Sequence, residues 1–337
     1  MEPVVRAADL GYGFTKYVRE VRPGHLDCAS FPSMAPVAPE VGLADAMGKR
    51  RTVVVEIDGV KYEVGPDVEL AQRAVAVRNM DDEYIRTPHY LALLRGALHY
   101  MRKDVIDVLV VGLPVSLMKL RCSELERLVA GAHPVGRDRL VTVRHVRVLA
   151  QPHGALLDYA SRAKDGSRVL RQTNLVIDCG YRTLDWLLTE GLKPVESRSG
   201  SVPRGMYDVL REIADRIGNS TGSRYFAYSK LDAALRRDER PVINGRTVNI
   251  DSAIAAARQI AVEGVTEMKR ALQGTSDIDN IVLVGGSAFF FKPALESLIG
   301  NRSIIAVREA EFANLRGFQI AGVDWAARRA RERAAAA

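Results

Sequence analysis

The sequence predicts an α/β protein in which one design is built twice along the chain, and three observations carry that expectation. The stretches "DLGYG" (Asp9–Gly13) and "DCGYRTLD" (Asp178–Asp185) each place Asp, any residue, Gly and Tyr directly after a short apolar run. Strand-like runs alternate with helical patterns in both halves, in the order hairpin, crossover, helix, strand, helix, and no short-period repeat intervenes. A length of 337 residues, 47% hydrophobic and 26% charged, supplies two cores of ordinary globular composition.

Val4–Ala8 is a β-like run, "DLGYG" its turn, Phe14–Val18 the return strand and "CASFPSM" a third strand. "PVAPEVGLADAMGKRR" reads as a loop. "TVVVEIDGVKYEVG" is the clearest hairpin, two β-rich runs around Asp58-Gly59, a pair suited to a tight turn with positive φ. Helical spacing covers Pro66–Ala76 and Pro88–Met101. Asp107–Leu113 is a buried-type strand, Ser116–Ala130 a helix, "LVTVRHVRVLAQ" a strand and Pro152–Ala163 a helix. The pattern then restarts. "TNLVIDCG" and "TLDWLLTEG" form a hairpin, "KPVESRSGSVPRG" crosses to a helix over Met206–Ile217, and the more polar Gly218–Asn249 holds a small hairpin around Asn244-Gly245. A long helix spans Asp251–Leu272, and "NIVLVGGSA" is a strand ending in a glycine pair. A helix, the strand "SIIAV" and a final helix beginning near Glu311 close the chain.

Composition narrows the function. Forty-eight Lys+Arg against 41 Asp+Glu give a net charge of +7, which favours polyanionic partners such as nucleotides. Part of that charge lies in the tail as Arg328, Arg329, Arg331 and Arg333, read as a solvated helix end, with a contact to DNA or a partner as the alternative. Aromatic residues at 6% argue against a base-stacking platform, and there is no helix-turn-helix or zinc signature, so direct DNA binding is not expected. Cys28, Cys122 and Cys179 form no C-x-x-C and share no metal spacing with the six histidines. An odd cysteine count without a signal-peptide pattern predicts a reducing, cytoplasmic setting. No apolar run approaches the ~20 residues a membrane helix needs, so no membrane partner is expected.

Three stretches point to phosphate chemistry. In "DLGYGFTK" the glycines let backbone N–H groups approach an anion, Lys16 can reach a phosphate, and Asp9 ends a strand where a carboxylate can hold the water shell of Mg²⁺. An ordinary β-turn uses the same residue types. "DCGYRTLD" repeats the logic with Asp178, Gly180 and Thr183, and two such hairpins suit one Mg-polyphosphate. In "VLVGGSA" a buried strand stops at Gly285-Gly286 before Ser287, which suits close approach by a nucleoside. Neither G-x-G-x-x-G nor a Walker A sequence occurs, so the Rossmann and P-loop readings lose.

Taken in order, "DLGYG", "AQPHGALLDY", "LVIDCGYRTLD", "IVLVGGSA" and "EFANLRGFQIAG" resemble the phosphate-1, connect-1, phosphate-2, adenosine and connect-2 motifs of the actin, Hsp70 and sugar-kinase superfamily. The likeness covers nearly the whole chain. Within the superfamily the chain looks most like the ParM/StbA-type plasmid-segregation actin-like ATPases, and is similar in particular to the PRTRC-cassette members (protein D). The supporting stretches are "DLGYGFTKYV", "DGVKYEVG", "RTPHYLALLRGAL" and "RSGSVPRGMYDVLREIADRI".

The resemblance implies a duplicated actin-like (ribonuclease H-like) fold of two lobes with a nucleotide cleft between them. Lobe I would be 1–170 plus 315–337, with an insertion at about 22–100, and lobe II 171–314, with an insertion at about 218–250. It implies ATP, with GTP left open, and Mg²⁺ held through water by Asp9 and Asp178. Gly11, Tyr12, Gly13, Lys16, Gly180, Tyr181 and Thr183 would surround the phosphates, and Gly205, Asp208, Gly285, Gly286 and Ser287 the nucleoside. Gln151 would position the attacking water, and Asn314 and Gly317 would pack in a hinge helix. It further implies slow hydrolysis, head-to-tail filaments, plasmid partition and a separate DNA-binding adaptor. Two rivals stay open: a small-molecule kinase of the same superfamily, with Asp81 or Asp82 as base, and a non-polymerising nucleotide-dependent scaffold.

Overall fold

The computed structural model describes residues 2–39, 50–71, 83–222, 224–300 and 302–336. The chain divides into two compact units, Met1–Gly166 with Phe312–Ala337, and Ser167–Glu311.

The first unit is built on a six-stranded sheet. β1 (Val5–Leu10) pairs antiparallel with β2 (Phe14–Arg22), and β2 with β3 (His25–Pro32). On its other side β1 runs parallel to a later strand, β6 (Val105–Leu113), which runs parallel to β8 (Leu140–Ala150). The short β7 (Gly131–Pro134) closes the edge antiparallel to β8. β1 and most of β6 are continuous buried runs, as inner strands covered on both faces must be. The hairpin of β4 (Val53–Ile57) and β5 (Val60–Val64) turns at Asp58 and Gly59, both with positive φ. Helix α1 (Pro88–Tyr100) starts where Thr87 Oγ1 accepts from the Tyr90 N–H at 3.2 Å and Pro88 opens the first turn. It lies against β5, and a Cβ on Gly96 would come within 2.6 Å of Val64.

Helices α2 (Met118–Val129) and α3 (Gln151–Arg162) follow, and the short α4 (Gly166–Val169) spans the point in the chain where the second unit begins. The long C-terminal helix α9 (Ala313–Ala336) packs against α3 at backbone distance. A Cβ on Gly317 would sit 1.7 Å from the Gly154 carbonyl oxygen, so the crossing exists only because both positions lack side chains. Phe318 fills the space beside it, and a Cβ on either Gly112 of β6 or Gly154 of α3 would strike its ring. The crossing is locked by a buried ion pair, in which Arg316 donates to both oxygens of Asp158 at 2.9 and 2.7 Å. The resemblance implied a packing role for Gly317, and the contact it makes is backbone on backbone.

The second unit repeats the plan. β9 (Thr173–Cys179) and β10 (Leu184–Glu190) form the hairpin, and β9 runs parallel to β15 (Asn280–Val284), which runs parallel to β16 (Ile304–Ala306). The crossover segment read as a plain connection returns to the sheet as β11 (Lys193–Pro194) and β12 (Gly200–Val202), both paired with β10. Three helices then follow: α5 (Met206–Thr221), α6 (Tyr228–Arg236) and α7 (Asp251–Leu272). The small hairpin β13 (Val242–Ile243) and β14 (Arg246–Thr247) and helix α8 (Ala288–Ile299) complete the unit. Strand orders β3-β2-β1-β6-β8 and β11-β10-β9-β15-β16 match position by position, so the duplication read from the two turns extends to the topology. The helical pattern at Pro66–Ala76 becomes a turn at Pro66-Asp67 and a 3₁₀ turn over Val68–Ala71, and residues 72–76 lie outside the described residues.

Burial pushes the pKa values of His89, His99, His133, His145 and His153 below the usual histidine range, and His133 uses its Nε2 on the Val129 carbonyl at 2.9 Å. The folded chain therefore resists protonation that the unfolded chain accepts as pH falls through about 6.5. More protons bound in the unfolded state means stability falls with falling pH. The urea midpoint should drop between about pH 7.5 and about pH 5.5, above the window in which carboxylates such as Glu124 and Asp277 lose their arginine partners. An equal or higher midpoint at the lower pH would contradict this account.

Candidate functional site

In the first unit the site begins at the β1–β2 turn. The Gly11 N–H donates to the Phe14 carbonyl at 3.2 Å and closes it. Hairpin register sets Asp9 opposite Lys16, and Lys16 Nζ lies 3.0 Å from Asp9 Oδ2. Asp9 is wholly buried. Its other oxygen accepts from Gln151 Nε2 at 2.7 Å, across 142 residues of sequence. Gln151 opens α3, the helix that α9 holds through the glycine crossing, so the crossing sets where this amide sits. A carboxylate only accepts, so the amide nitrogen faces Asp9 and the amide oxygen is directed away from it. Structure thus brings together Asp9, Gly11, Lys16 and Gln151.

Tyr12 stacks on Tyr84, with centroids 4.9 Å apart, and Tyr84 meets Tyr90 edge to face at 5.2 Å. Burial, with Tyr84, Asp9 and Tyr12 adding to it, pushes the pKa of Tyr90 well up and keeps its hydroxyl protonated. Sequence reading missed Ser33. Its N–H donates to the Gly13 carbonyl at 3.0 Å and its hydroxyl to the Gly11 carbonyl at 2.6 Å, so it braces the turn from β3. No local pattern marks a serine 22 residues away from its partner.

The second unit closes its turn in the same way. The Gly180 N–H donates to the Thr183 carbonyl at 2.9 Å, at the positions equivalent to Gly11 and Phe14. Register places Asp178 opposite Asp185, the counterpart of Lys16. Asp185 is buried and accepts from the hydroxyls of Thr183, at 2.5 Å, and Ser201. The Thr183 proton is therefore engaged by Asp185. A Cβ on Gly285, whose φ is +93°, would fall 2.3 Å from Asp178 Oδ1, so glycine is what lets β15 end against this carboxylate. The Ser287 N–H and hydroxyl donate to the Cys179 and Gly180 carbonyls at 3.0 and 3.1 Å, which ties the Gly-Gly-Ser turn to the Asp178 turn.

Gly205 opens α5, and a Cβ there would meet the Tyr181 carbonyl at 2.4 Å. The next two N–H groups, of Met206 and Tyr207, donate to the Gly180 and Tyr181 carbonyls at 3.2 and 2.7 Å. These donors of the helix terminus are thus already used within the unit. Asp208 accepts from the Gly205 N–H and from Arg211, both at 3.3 Å, so it caps its own helix. Sequence reading also missed Arg236. It donates to the Gly286 carbonyl at 2.5 Å and to Asp232 at 2.9 Å, and lies 5.2 Å from the Phe289 ring centroid. A helix in a polar stretch gave no sign that its last residue lines the glycine turn. Asp81 and Asp82 lie outside the described residues.

Among the described residues no group of three or more His, Cys, Asp or Glu could hold a metal ion. Taken separately, the first hairpin offers buried Asp9 at its strand end, and the second offers buried Asp178, with the neighbouring buried Asp185 already taken by two hydroxyls. A single such carboxylate fits a cation that keeps most of its own water, as Mg²⁺ does, and does not fit one requiring several protein ligands.

Comparison with known families decides what these turns belong to. The actin-like proteins N-terminal domain matches residues 7–154, and the C-terminal domain of archaeal MreB-like actin homologues matches residues 176–297. The chain is an actin-like protein. Among solved structures, an archaeal actin homolog, Ta0583, is 21% identical over 94% of this chain and 98% of its own, with a TM-score of 0.74. The complex of that homolog with ADP gives 20% identity over 94% and 98%, with a TM-score of 0.70. A 15-stranded ParM filament from Clostridium botulinum is 18% identical over 96% and 100%, with a TM-score of 0.74. At these identities the likeness shows the fold, so this actin-like protein has the fold of ParM. No curated protein sequence matches it significantly. No helix among its described residues is long and apolar enough to cross a membrane.

The Asp9–Lys16 pair generates a stability prediction. Asp9 has no exposure and Lys16 little, so among the described residues Lys16→Met leaves a buried charge with the Gln151 amide as its remaining side-chain partner. The loss should be about 3 kcal/mol or more in urea unfolding. Asp9→Asn together with Lys16→Met should recover a large part of it, whereas additive losses would show that the two side chains are not coupled.

Proposed function

We propose that this actin-like protein binds and slowly hydrolyses ATP with Mg²⁺ and assembles head-to-tail into filaments that act in plasmid segregation. The single observation that carries the reading is the Gln151 amide held on Asp9. Asp9 in the first Asp-x-Gly-Tyr turn and Asp178 in the second are each assigned to the water shell of Mg²⁺. Gly11, Tyr12, Gly13, Gly180 and Tyr181 offer close backbone approach to phosphate, and Lys16 supplies positive charge beside Asp9. Thr183 acts through the turn geometry that Asp185 fixes. Gly205, Gly285, Gly286 and Ser287 take the nucleoside side, and Asp208 takes part there through the helix cap. Bound Mg²⁺ would supply charge neutralisation of the phosphates.

Gln151 is the residue that acts on the nucleophile. Donation of Nε2 to Asp9 directs Oε1 away from the carboxylate, where it can accept a hydrogen bond from a water and orient it. A neutral amide orients water without removing its proton, which suits slow turnover by positioning. The ADP complex of the archaeal homolog and the Clostridium botulinum ParM filament support nucleotide binding and self-assembly for this chain. Head-to-tail contacts are heterologous and extend without closing, which suits a filament. Cytoplasmic action, a separate DNA-binding adaptor and membership of the PRTRC-cassette group complete the proposal.

Right-angle light scattering and phosphate release, read together after adding Mg-ATP, Mg-GTP or a non-hydrolysable analogue, test it. Scattering should rise with Mg-ATP and with the analogue, while phosphate release follows only the hydrolysable nucleotides. Asp178→Asn should lower Mg²⁺-dependent turnover at least ~10-fold with an unchanged circular dichroism spectrum, since it removes only a charge at the metal. Turnover that requires an added sugar or other small acceptor would select the kinase instead. Unchanged hydrolysis in folded Asp178→Asn would remove the metal assignment.

A further inference from the structure

The C-terminal helix carries a second feature, on the first unit and apart from the Asp9 turn. Trp325, Arg328, Arg329 and Glu332 follow one another at helical spacing along α9, where a core-facing stripe would be apolar. Together with Arg147 of β8 they line a surface hollow of about 380 Å³. The Trp325 ring has the guanidinium of Arg329 at 5.0 Å from its centroid and that of Arg147 at 5.9 Å, and His145 meets it edge-on at 5.6 Å.

The charges at this hollow are uneven. Arg328 is paired with Asp324 at 2.7 Å, and Arg144 with Asp107 at 2.7 Å. Among the described residues Arg147 and Arg329 have no carboxylate partner. Burial first, then Arg329, Arg333 and Arg144, lower the pKa of His145, so several arginine charges act on this place. Two guanidinium groups held at one aromatic ring, each with its planar fork of donors available, are suited to carboxylates.

The strand beneath adds backbone. β7 pairs with β8 only over Leu140–Val143. From Arg144 to Ala150, β8 has β6 on one side and, among the described residues, no strand on the other. A free edge of this kind is where an extended peptide adds to a sheet. A duplex fits less well. The ring faces are occupied by arginines rather than open to bases, Arg328 is neutralised, and Glu332 lines the hollow and would oppose a rail of phosphates.

We propose that the Arg147–Trp325–Arg329 hollow is a docking site for an extended acidic segment of a partner protein, with carboxylates on Arg147 and Arg329 and the segment's backbone along the free half of β8. Glu332 then meets an N–H or a cationic group of the same segment. Arg147 and Arg329 act as one unit, because both approach the same ring.

Fluorescence anisotropy with the full chain tests this, using a fluorescein-labelled ten-residue peptide of alternating glutamate and threonine. It should bind saturably at low salt and more weakly as salt is raised, and the same peptide with lysine for glutamate should not bind. Arg147→Ala with Arg329→Ala should weaken binding at least about tenfold, as loss of two charge-assisted contacts requires. Arg246→Ala with Arg258→Ala, exposed basic positions of the other unit, should leave it unchanged. Matching thermal melts establish that both double variants are folded. No saturable binding up to about 1 mM peptide, or equal affinity in the Arg147/Arg329 variant, overturns the proposal. Binding of a short DNA duplex that is tighter than the peptide and lost in the same variant also overturns it, in favour of a phosphate-backbone site.

Discussion

Phe318 lying over two bare glycines is the constraint on which the first unit's site depends. Gly112 and Gly154 have no Cβ because the ring occupies that space, and Gly317 has none because the Gly154 carbonyl does. The helix α9 can therefore press onto the start of α3 at backbone distance. Close-packed interiors transmit such placements with little slack. The Asp158–Arg316 pair fixes the rotation of one helix on the other, since a bidentate contact between two buried groups tolerates little misalignment. The product of this packing is an amide delivered to Asp9.

The two Asp turns share a backbone and differ in what stands opposite the acid. Each is closed by a hydrogen bond from the residue two after Asp to the residue five after it. In the first unit the facing residue is Lys16, which neutralises Asp9. In the second it is Asp185, whose oxygens take two hydroxyl protons. A duplicated fold has thus acquired unlike halves, one balanced by a cation and one by neutral donors. The proposed function uses that difference: positive charge and the water-orienting amide lie with Asp9, while Asp178 is backed by the glycine turn of β15.

Much of this was legible in the sequence because it is encoded locally. An apolar run stopping at Asp-x-Gly marked both hairpins, Asp58-Gly59 marked a third, and helical spacing from Pro88 marked α1. The match to actin-like domains over 7–154 and 176–297 agrees with the family read from five motifs in order. What escaped is long-range. β7 is written "GAHP", with no β-forming residue, and is a strand only because β8 supplies its partners. The Ser33 brace and the Arg236 contact each join residues from separate elements. The helix Tyr228–Arg236 sits in a polar stretch whose apolar contacts, through Leu231 and Ala234, show only once the core is assembled. Lys16 and Gln151 were both singled out at the level of sequence, yet their common attachment to Asp9 is a tertiary fact.

In the proposed function Gln151 acts on water and is held in place by Asp9. The most direct measurement is phosphate release alongside nucleotide-binding fluorescence on one preparation of Gln151→Ala. The substitution removes the orienting oxygen and no assigned phosphate contact. Affinity should stay nearly unchanged while turnover falls by about 10- to 100-fold, the signature of an interaction made at the transition state. Equal losses in binding and turnover would contradict the claim and leave Gln151 as a wall of the fold.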